Sequence, residues 1–452
     1  MSRPTPASDP HLPAYHFQGF PWMNDPIPFF HNGDYHVFYQ HNPAGPDWGD
    51  MCWGHVVSRD LVHWQPMPVA LAPSPDQPDR RGCWTGSLIH ALGGVYLFYT
   101  AISTLNPLRQ TQSLATSADL ITFEKYAGNP LIFGPPAGNG ACFRDPCVWA
   151  DGDGFRMLIG GEKPDGSGGQ ALLYCSTDLL RWDYCGVLAE GRTAESAYDF
   201  ECPDFFPLGD RHVLLTSRQR QWAHLGDLRD DKLDIESVRP IEGPSFYAGK
   251  TLVDDSGRRI LFGWLMDHDS GPGEKTGESV KQRGWAGVLS LPRELYLSPS
   301  GNIAQRPPTE LTALRRSHRS LPPFSLSAGP TDIPEVDGET LELLLTVRLP
   351  PETTRLTLHL RHTAPGTTPF SLPITLDREI ATLGSTPCHD LPPGGTFTFH
   401  LFLDRSILEV FLHGAAHTVR GYPPNPELAR GLVLEPNGPA EVISLDLWHL
   451  SL

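Results

Sequence analysis

Three acidic residues in the first half of the chain share a similar setting. Asp25 in WMNDP, Asp145 in FRDP and Glu201 in ECPDFF each lie within three residues of an aromatic side chain, with a proline one or two residues later. Two carboxyl groups that flank one bond suit the cleavage of a glycoside, because the ionised one attacks or stabilises the anomeric carbon and the protonated one donates to the leaving oxygen. A third acid beside an arginine, as Asp145 is beside Arg144, can bind sugar hydroxyls. Aromatic faces on which sugar rings stack are offered by Trp22, Trp48, Trp53 and Trp84.

A repeat along the chain indicates the elements that would position these acids. Apolar segments begin at intervals of 60, 60, 56 and 47 residues, at Tyr35, Val95, Phe155, Arg211 and Arg258. Each follows a glycine-containing turn and is typical of a buried strand. Modules of about four short strands cannot bury their faces alone, so five copies predict a five-bladed β-propeller closed around a central channel.

The position ten residues before each of these segments is occupied by Asp25, Thr85, Asp145, Glu201 and Ala248. Equivalent positions in a propeller are related by rotation about the channel, so these side chains are predicted to converge near one mouth. The alternative is that the carboxylates cap turns or pair with Arg144. Because gathered acids raise the electrostatic energy unless binding or chemistry uses them, we favour a functional role for the acidic trio of Asp25, Asp145 and Glu201.

A second repeat, S-x-D-L-x-x-aromatic, occurs at 58–64, 117–123 and 176–182, with its aspartates 59 residues apart. Its serine and aspartate can close a turn through hydrogen bonds to the backbone. A residue that recurs in successive modules more often serves the module than the chemistry. We therefore predict a structural role for Asp60, Asp119 and Asp178.

Charge and apolar content restrict the partners. Lys and Arg number 35 against 52 Asp and Glu, a net charge of −17 that disfavours nucleic acid and anionic membrane surfaces. A small neutral saccharide is the expected partner. The sequence leaves open whether the chain forms a homo-oligomer. No apolar run approaches the roughly 20 residues of a membrane span, and the N-terminus lacks the apolar segment of a secretion signal. A cytoplasmic location is therefore predicted.

Cysteine and histidine spacing gives no sign of a metal centre. The eight cysteines occur singly, without a CxxC pair, which favours reduced thiols over a zinc site or a disulfide framework. His359, His362 and His400 show no ligand-like spacing. We predict neither a metal nor another cofactor.

The repeat stops near 304–323, where proline and arginine accumulate. Beyond it, segments at 339–350, 355–362, 395–414 and 440–450 alternate apolar and polar residues, as strands of an antiparallel sandwich do. The sequence therefore predicts an all-β chain, with the five-bladed β-propeller over 1–310, a linker over 311–325 and a β-sandwich over 326–452. Within LDRSILEVF, Asp404, Arg405 and Glu409 are predicted to support structure.

WMNDP (22–26), FRDP (143–146) and ECPDFF (201–206) resemble the three acidic motifs of glycoside hydrolase family 32, which contains invertases, fructanases and related fructosyltransferases. Six further segments are similar to that family in the same order: FYQHNP (38–43), WGHVVSRDLVHW (53–64), WTGS (84–87), FYAGKT (246–251), LFGWL (261–265) and GWAGVLSLPREL (284–295). Together they span most of the first three hundred residues. The resemblance implies a five-bladed propeller followed by a β-sandwich, in agreement with the repeat.

By this resemblance Asp25 is the nucleophile, Glu201 the general acid and then base, and Asp145 the stabiliser of the transition state. Residues that match the family's fructose pocket are Asn24, Gln40, Trp48, Trp84, Thr85, Arg144, Tyr247 and Trp264. The implied mechanism retains configuration. Asp25 attacks C2 of a fructosyl unit, Glu201 protonates the glycosidic oxygen, and water or another sugar resolves the ester. Retention predicts that the two carboxyl groups lie about 5 Å apart.

The expected activity is that of a retaining β-fructofuranosidase acting on sucrose and short fructo-oligosaccharides. A fructosyltransferase, or an exo-fructanase acting on inulin or levan, is the alternative with the same acidic trio. A sugar-binding propeller without catalysis is the alternative outside the enzyme class. Ile27 and Pro28 replace the Asn-Gly that usually follows WMNDP, and Lys250 stands where glutamine is frequent. We expect these three departures near the aglycone.

Overall fold

A computed structural model of the chain describes residues 9–191, 199–267, 277–363 and 366–452. Within these ranges the regular structure is almost entirely β. The exceptions are one short α-helix, α1 (Glu278–Arg283), and a 3₁₀ helix (Thr309–Leu314). The prediction of an all-β chain is confirmed.

Five antiparallel sheets follow one another along residues 22–306, here called region 1. The first contains β1 (Trp22–His31), β2 (Asp34–Asn42), β3 (Cys52–Ser58) and β4 (Gln65–Leu71), and the second β5 (Cys83–Ala91), β6 (Gly94–Leu105), β7 (Leu108–Ser117) and β8 (Glu124–Lys125). The third contains β9 (Phe143–Asp151), β10 (Gly154–Glu162), β11 (Gly169–Ser176) and β12 (Asp183–Glu190), and the fourth β13 (Glu201–Leu208), β14 (Arg211–Arg218), β15 (Arg220–Arg229) and β16 (Lys232–Pro240). The fifth contains β17 (Phe246–Val253), β18 (Arg259–Leu265), β19 (Val288–Leu289), β20 (Arg293–Leu297) and β21 (Ile303–Arg306).

The first strands of the five sheets lie side by side. β1 contacts β5 and β17, β5 contacts β9, β9 contacts β13, and β13 contacts β17, so the contacts run in a cycle. β1 is almost wholly buried whereas β4 is largely exposed, which places the first strand innermost. Apolar clusters hold adjacent sheets together, and one of them joins Ile27 and Phe38 of the first sheet to Leu97 and Tyr99 of the second.

Each innermost strand carries an irregularity at the same level. Its pairing with the second strand of its sheet skips one or two residues after Asn24, Trp84, Arg144, Glu201 and Tyr247. In four sheets the next residue has a positive φ, namely Asp25 (21°), Asp145 (64°), Cys202 (48°) and Ala248 (52°). Such backbone is uncommon for residues with a Cβ, and bulges of this kind redirect side chains beside active sites.

This register corrects the equivalence drawn from the ten-residue count. Asp25, Thr85 and Asp145 each come directly after the last residue of their strand that pairs regularly with the second strand before the bulge. In the fourth sheet Cys202 holds this position. Glu201 therefore aligns with Asn24 and its counterparts. In the fourth sheet the ten-residue count misses the bulge by one residue. The apolar segment there begins at the first residue of β14, whereas in the first three sheets it begins one residue after the start of β2, β6 or β10. Since side chains alternate with a period of two, a shift of one residue decides toward which face of the strand a carboxyl group points.

The S-x-D-L repeat forms three matching turns. Asp60 Oδ1 accepts hydrogen bonds from the backbone N–H groups of Val62 and His63 at 3.0 and 2.8 Å. Asp119 and Asp178 make the same pair of bonds with the residues two and three positions later. The predicted structural role of these aspartates is confirmed.

Two sheets, here called region 2, occupy residues 315–450. One contains β22 (Arg315–Leu321), β34 (Ala440–Leu450), β25 (Thr340–Arg348), β30 (Thr396–Asp404), β31 (Ile407–Leu412) and β32 (Ala415–Arg420), with β23 (Phe324–Leu326) beside β34. The other contains β24 (Thr331–Asp332), β33 (Ala429–Pro436), β26 (Arg355–Thr363), β27 (Leu372–Asp377), β28 (Thr382–Leu383) and β29 (Thr386–Pro387). Leu343 and Leu345 of β25 share one buried core with Leu358 and Leu360 of β26, as in a β-sandwich.

The segment 311–325, which composition indicates as a linker, contributes to this sandwich. β22 lies within it and pairs with β34, and β23 begins within it. The side chains of β22 are mostly exposed. An edge strand of this kind lacks the apolar alternation that marks the other strands, which is why its composition is that of a linker.

Regions 1 and 2 meet at a buried polar cluster, here called the seam, formed by His16, Glu242, Arg293, Asp404 and Glu409. Arg293 lies 2.6 Å from both Glu242 Oε1 and Glu409 Oε2. His16 lies 2.9 Å from Asp404 Oδ2 and 3.0 Å from Glu409 Oε1. All five side chains are fully buried. The predicted structural role of Asp404 and Glu409 is confirmed by these contacts.

One pair of cysteines departs from the expectation of reduced thiols. Cys175 on β11 and Cys185 on β12 form a disulfide with a Cα to Cα distance of 6.2 Å. The two lie on paired strands, a proximity that single spacing along the chain does not reveal. Within the described ranges, no helix is long and apolar enough to cross a membrane. In the same ranges, no group of three or more His, Cys, Asp or Glu residues could hold a metal ion.

Candidate active site

Asp25, on β1, is buried and held by uncharged donors. Its Oδ2 accepts hydrogen bonds from Thr85 Oγ1 at 2.7 Å and from Gln40 Nε2 at 3.2 Å. Its Oδ1 accepts from Asn24 Nδ2 at 3.1 Å. Three of the predicted pocket residues thus orient this one carboxyl group.

Asp145 occupies the corresponding bulge of β9. Its backbone N–H donates to Thr100 Oγ1 at 2.8 Å, which anchors the bulge to the neighbouring sheet. Its Oδ2 accepts from the backbone N–H of Cys202 at 2.8 Å and lies 3.7 Å from Arg144 Nε. The carboxyl group is therefore fixed by one peptide group and one cation.

Glu201 opens β13 and contacts a different set of groups. Its Oε1 lies 2.6 Å from Arg144 Nη2 and 3.5 Å from Arg218 Nη1, and its Oε2 accepts from the Tyr247 hydroxyl. Its side chain is 20% exposed, against 4% for Asp145. Glu201 is thus the more accessible of these two acids to a group that enters from solvent.

Cys202 links the three acids. Its N–H binds Asp145, its Sγ donates to Asp25 Oδ2 at 3.5 Å, and it directly follows Glu201. The sequence allows either a small buried residue or a tuning role at this position. The structure shows a residue that is fully buried and in polar contact with two of the acids.

The environment raises the pKa of both bulge aspartates. Burial raises the pKa of Asp25 to about 6, and the charges of Asp145 and Glu201 add to this effect while the Thr85 hydrogen bond opposes it. Burial also raises the pKa of Asp145, although Arg144 and the Cys202 N–H act to lower it. Asp25 is therefore ionised above about pH 6, without a cation in direct contact to stabilise it among the described residues.

Aromatic side chains surround the acids. Trp48, Trp84, Tyr247 and Trp264 belong to the apolar cluster that contains Cys202. The rings of Trp48 and Trp84 meet edge to face with centroids 5.4 Å apart, and those of Tyr247 and Trp264 with centroids 6.2 Å apart. Trp48 and Trp84 are partly exposed whereas Trp264 is fully buried, so the first two offer faces to a ligand and the third supports them. The three acids and the eight predicted pocket residues are thus brought to one place. Trp22 and Trp53, which were predicted to offer faces to sugar rings, are fully buried, so that expectation is wrong.

The sequence profile of the N-terminal domain of glycosyl hydrolases family 32 matches residues 16–307, and the profile of that family's C-terminal domain matches residues 310–449. The chain belongs to glycosyl hydrolase family 32. A sucrose-6-phosphate hydrolase of Escherichia coli is 40% identical over 329 residues, which cover 68% of this chain and 66% of that protein. A sucrose-6-phosphate hydrolase of Bacillus subtilis is 32% identical over 438 residues, covering 91% of this chain and 88% of that protein.

Solved structures of family 32 include a fructan 1-exohydrolase IIa from Cichorium intybus. It superposes with a TM-score of 0.84 at 25% identity, over 98% of each chain. This similarity extends over both regions. The glycosidase family suggested by the acidic motifs is therefore confirmed.

Two charged residues of this family 32 site are absent from the sequence prediction. Asp199 lies 2.5 Å from Arg144 Nη2 and 3.2 Å from Arg218 Nη1, so it bridges both cations that approach Glu201. Asp199 stands two residues before Glu201, on the same side of an extended chain, and this spacing is the signal that identifies it. Arg218 ends β14 and has no comparable sequence signal.

The three departures from the family pattern lie around one cavity. Ile27, Pro28 and Lys250 line a cavity between the innermost strands, together with Asp204, and the described lining of that cavity contains none of the acidic trio. Lys250 is fully buried, and its Nζ donates to Pro203 O at 2.8 Å. Each of the three residues lies two or three positions beyond the bulge of its strand, and their expected position near the aglycone stays a prediction.

Proposed function

We propose that this family 32 protein is a retaining β-fructofuranosidase that releases terminal fructose from sucrose and short fructo-oligosaccharides. Asp25 attacks C2 of the fructosyl unit and forms an ester, while Glu201 gives a proton to the departing glycosidic oxygen. Water then attacks C2 of the ester, Glu201 takes its proton, and the Asp25 carboxylate leaves. Fructose and the second sugar are the two products.

The observation that carries this proposal is the contrast between the contacts of Asp25 and Glu201. Asp25 is buried among uncharged donors that aim it and leave its charge uncompensated, which suits a nucleophile. Glu201 is partly exposed and held by Tyr247 and Arg144 at the rim of the cluster, which suits proton transfer to a leaving group. The separation of about 5 Å that retention requires stays a prediction.

Asp145 and Arg144 supply the remaining function at the site. An oxocarbenium-like transition state develops positive charge on the fructosyl ring, and a fixed carboxylate beside it lowers the energy of that state. The Cys202 N–H fixes the Asp145 carboxylate. Arg144 lies close to both Asp145 and Glu201, and its positive charge offsets the repulsion between the two carboxylates.

Relatives support a fructoside as substrate. They are named sucrose-6-phosphate hydrolase, raffinose invertase and fructan 6-exohydrolase. The aromatic faces of Trp48 and Trp84 fit a small neutral saccharide, and the net charge of −17 makes nucleic acid or an anionic membrane surface an unfavourable partner.

The cycle of contacts between innermost strands supports a closed five-bladed propeller as the scaffold of the site. The boundary with the sandwich falls between 306 and 315, since β21 ends at Arg306 and β22 starts at Arg315. A cytoplasmic location and the absence of a cofactor complete the proposal.

The test is release of fructose and glucose from sucrose, sucrose 6-phosphate, inulin and levan by the full chain. Asp25→Ala is expected to lose activity on the order of 10⁴-fold or more, because it removes the nucleophile. Asp153→Ala, which removes an exposed carboxylate from a turn, is the matched control and is expected to keep full activity. Equal turnover by Asp25→Ala and Asp153→Ala would remove Asp25 from the mechanism.

Product analysis separates the alternatives. Retention predicts that NMR shows the β-anomer of fructose as the first product, and the α-anomer would contradict the covalent ester. Chain-lengthened products at high sucrose would indicate a fructosyltransferase, and faster release from inulin or levan an exo-fructanase. Absence of turnover on all four substrates would favour a sugar-binding protein.

A further inference from the structure

A cavity of about 430 Å³ lies between the innermost strands of region 1. Its lining includes Asp204, Lys250 and Arg259. Asp204 lies three residues beyond Glu201, and Lys250 two residues beyond Ala248, each on an innermost strand. Because these strands start at the acidic cluster and continue into the cavity wall, the cavity lies on the same axis but beyond the active site.

Arg259 is a cation without a counter-charge in contact. Its Nη1 donates to Thr251 Oγ1 at 2.8 Å, and its guanidinium lies 4.1 Å from the centre of the Phe206 ring. In the part of the chain that the structure describes, no carboxylate oxygen forms an ion pair with Arg259 within 4.0 Å. Burial accordingly lowers the pKa of Arg259 below its ordinary value, an effect that Asp204 only partly opposes.

Among the described residues, Asp204 is the acid whose charge acts on both cations, and its oxygens already have partners. Asp204 Oδ2 accepts from the backbone N–H of Thr251 at 2.9 Å and from its hydroxyl at 2.7 Å, and Oδ1 faces the Cys147 thiol at 3.6 Å. Asp151 also reaches the cavity, but its carboxylate is paired with Arg156 at 3.1 Å. Arg259 therefore faces the cavity without a carboxylate in contact among the described residues, whereas nearby acids, Asp204 and Asp145 among them, already raise the pKa of Lys250.

The geometry of Arg259 defines the kind of ligand that fits. The ring of Phe206 and the hydroxyl of Thr251 hold the guanidinium plane, which leaves the other N–H groups of its rigid fork for a ligand. Such a fork binds a tetrahedral oxyanion through two parallel hydrogen bonds. His212 lines the same cavity and adds a further nitrogen donor. A neutral sugar or water alone would leave the charge of the partly buried Arg259 without a counter-charge.

We propose that this cavity contains a binding site for a small tetrahedral oxyanion, such as phosphate, with Arg259 as its main ligand and Lys250 and His212 as neighbours. The site is separate from the acidic trio and does not depend on the proposed hydrolytic activity. At this site an anion binds favourably even though the net charge of the chain is strongly negative.

Titration calorimetry of the full chain with inorganic phosphate, at constant ionic strength, tests the site. Saturable binding of one phosphate per chain is expected. Arg259→Gln is expected to weaken it at least about tenfold, because a charge-assisted hydrogen bond is lost. Arg59→Gln, which removes an exposed arginine far from the cavity, is expected to bind as the unmodified protein does. Absence of saturable binding to the unmodified protein, or equal affinity in Arg259→Gln, would overturn the proposal.

A second pair of variants leaves the cations untouched. Leu228 lines the cavity and is 37% exposed, so it tolerates a polar side chain. Leu228→Glu places a carboxylate at the mouth and is expected to weaken phosphate binding about tenfold, whereas the uncharged Leu228→Gln is expected to retain it. Equal affinities in these two variants would contradict the site. Titration with glycerol 3-phosphate distinguishes a free phosphate from a phosphate ester as the ligand.

Discussion

The active site and the seam each gather three carboxylates, yet the pKa shifts of these groups are opposite in direction. At the seam, burial acts to raise the pKa of Glu409, but Arg293 and His16 overcome it and lower that pKa to about 2. His16 and the backbone N–H groups of Ala14 and His16 likewise overcome burial and lower the pKa of Asp404. At the site, burial and neighbouring acids raise the pKa of Asp25 to about 6. Asp25, Asp404 and Glu409 are all buried, so the groups in contact with them account for the opposite directions of their pKa shifts.

This difference separates acids that hold the fold from acids that react. In the seam every carboxylate contacts Arg293, His16 or backbone N–H groups. At the site the arginines contact Glu201 and Asp199, while Asp25 receives only neutral hydrogen bonds. An uncompensated buried carboxylate costs stability, and the protein retains it where chemistry needs it.

Among the changes that compare the active site with the seam, Glu201→Gln is expected to have the largest effect. Loss of the proton donor should lower kcat for sucrose by roughly 10²- to 10⁴-fold, with a smaller change in binding. Glu441→Gln, which alters an exposed arginine-paired glutamate in region 2, is the control. Steady-state kinetics of both variants measure the difference, and an unchanged kcat in Glu201→Gln would assign the acid role to another residue.

Glu409→Gln should affect stability instead. It removes one carboxylate from Arg293 and His16 inside the seam, and breaking a buried ion pair costs about 3–5 kcal/mol. The same change at Glu441, whose side chain is 44% exposed, should cost no more than about 1 kcal/mol. Urea unfolding followed by tryptophan fluorescence compares the two, and similar midpoints would contradict a stabilising seam.

Asp25→Asn should change stability in the opposite direction. The folded-state pKa of Asp25 is raised, so the protonated form stabilises the fold at low pH and that contribution is lost as pH rises from about 4 through about 6. At pH 8 the amide removes the ionised group and is expected to stabilise the protein by on the order of 1–3 kcal/mol. Thermal unfolding at pH 8 measures it. A variant less stable than the unmodified protein would show that the Asp25 charge is compensated after all.

The smallest effect concerns the pH dependence of activity. Because Asp25 must be ionised to attack, kcat/KM should fall about tenfold per pH unit below about pH 6. Thr85→Val removes a hydrogen bond that lowers the pKa of Asp25, so it should move this acidic limb of the pH–rate profile to higher pH. Thr346→Val, in an exposed threonine pair of region 2, should leave the profile unchanged. A limb near pH 4 in the unmodified protein would contradict the raised pKa of Asp25.

Much of the fold could be predicted from local patterns. Turn chemistry in S-x-D-L depends on atoms within a few residues, and the apolar segments after glycine turns report strands directly. These two repeats were sufficient to predict the five modules and the gathering of Asp25, Asp145 and Glu201. β22 was not predicted because an exposed edge strand lacks the alternation of apolar and polar residues that indicates a strand.

Sequence alone determined which side chains could react and approximately where they meet, because residue type and module spacing are properties of the chain. Tertiary structure decided that Cys202, not Glu201, occupies the fourth bulge, that Asp199 and Arg218 flank Glu201, and that Lys250 faces the cavity. It also decided the balance of charge at Asp25 and at the seam. These features depend on strand register and on contacts between residues tens to hundreds of positions apart, and such contacts arise only when the sheets pack together.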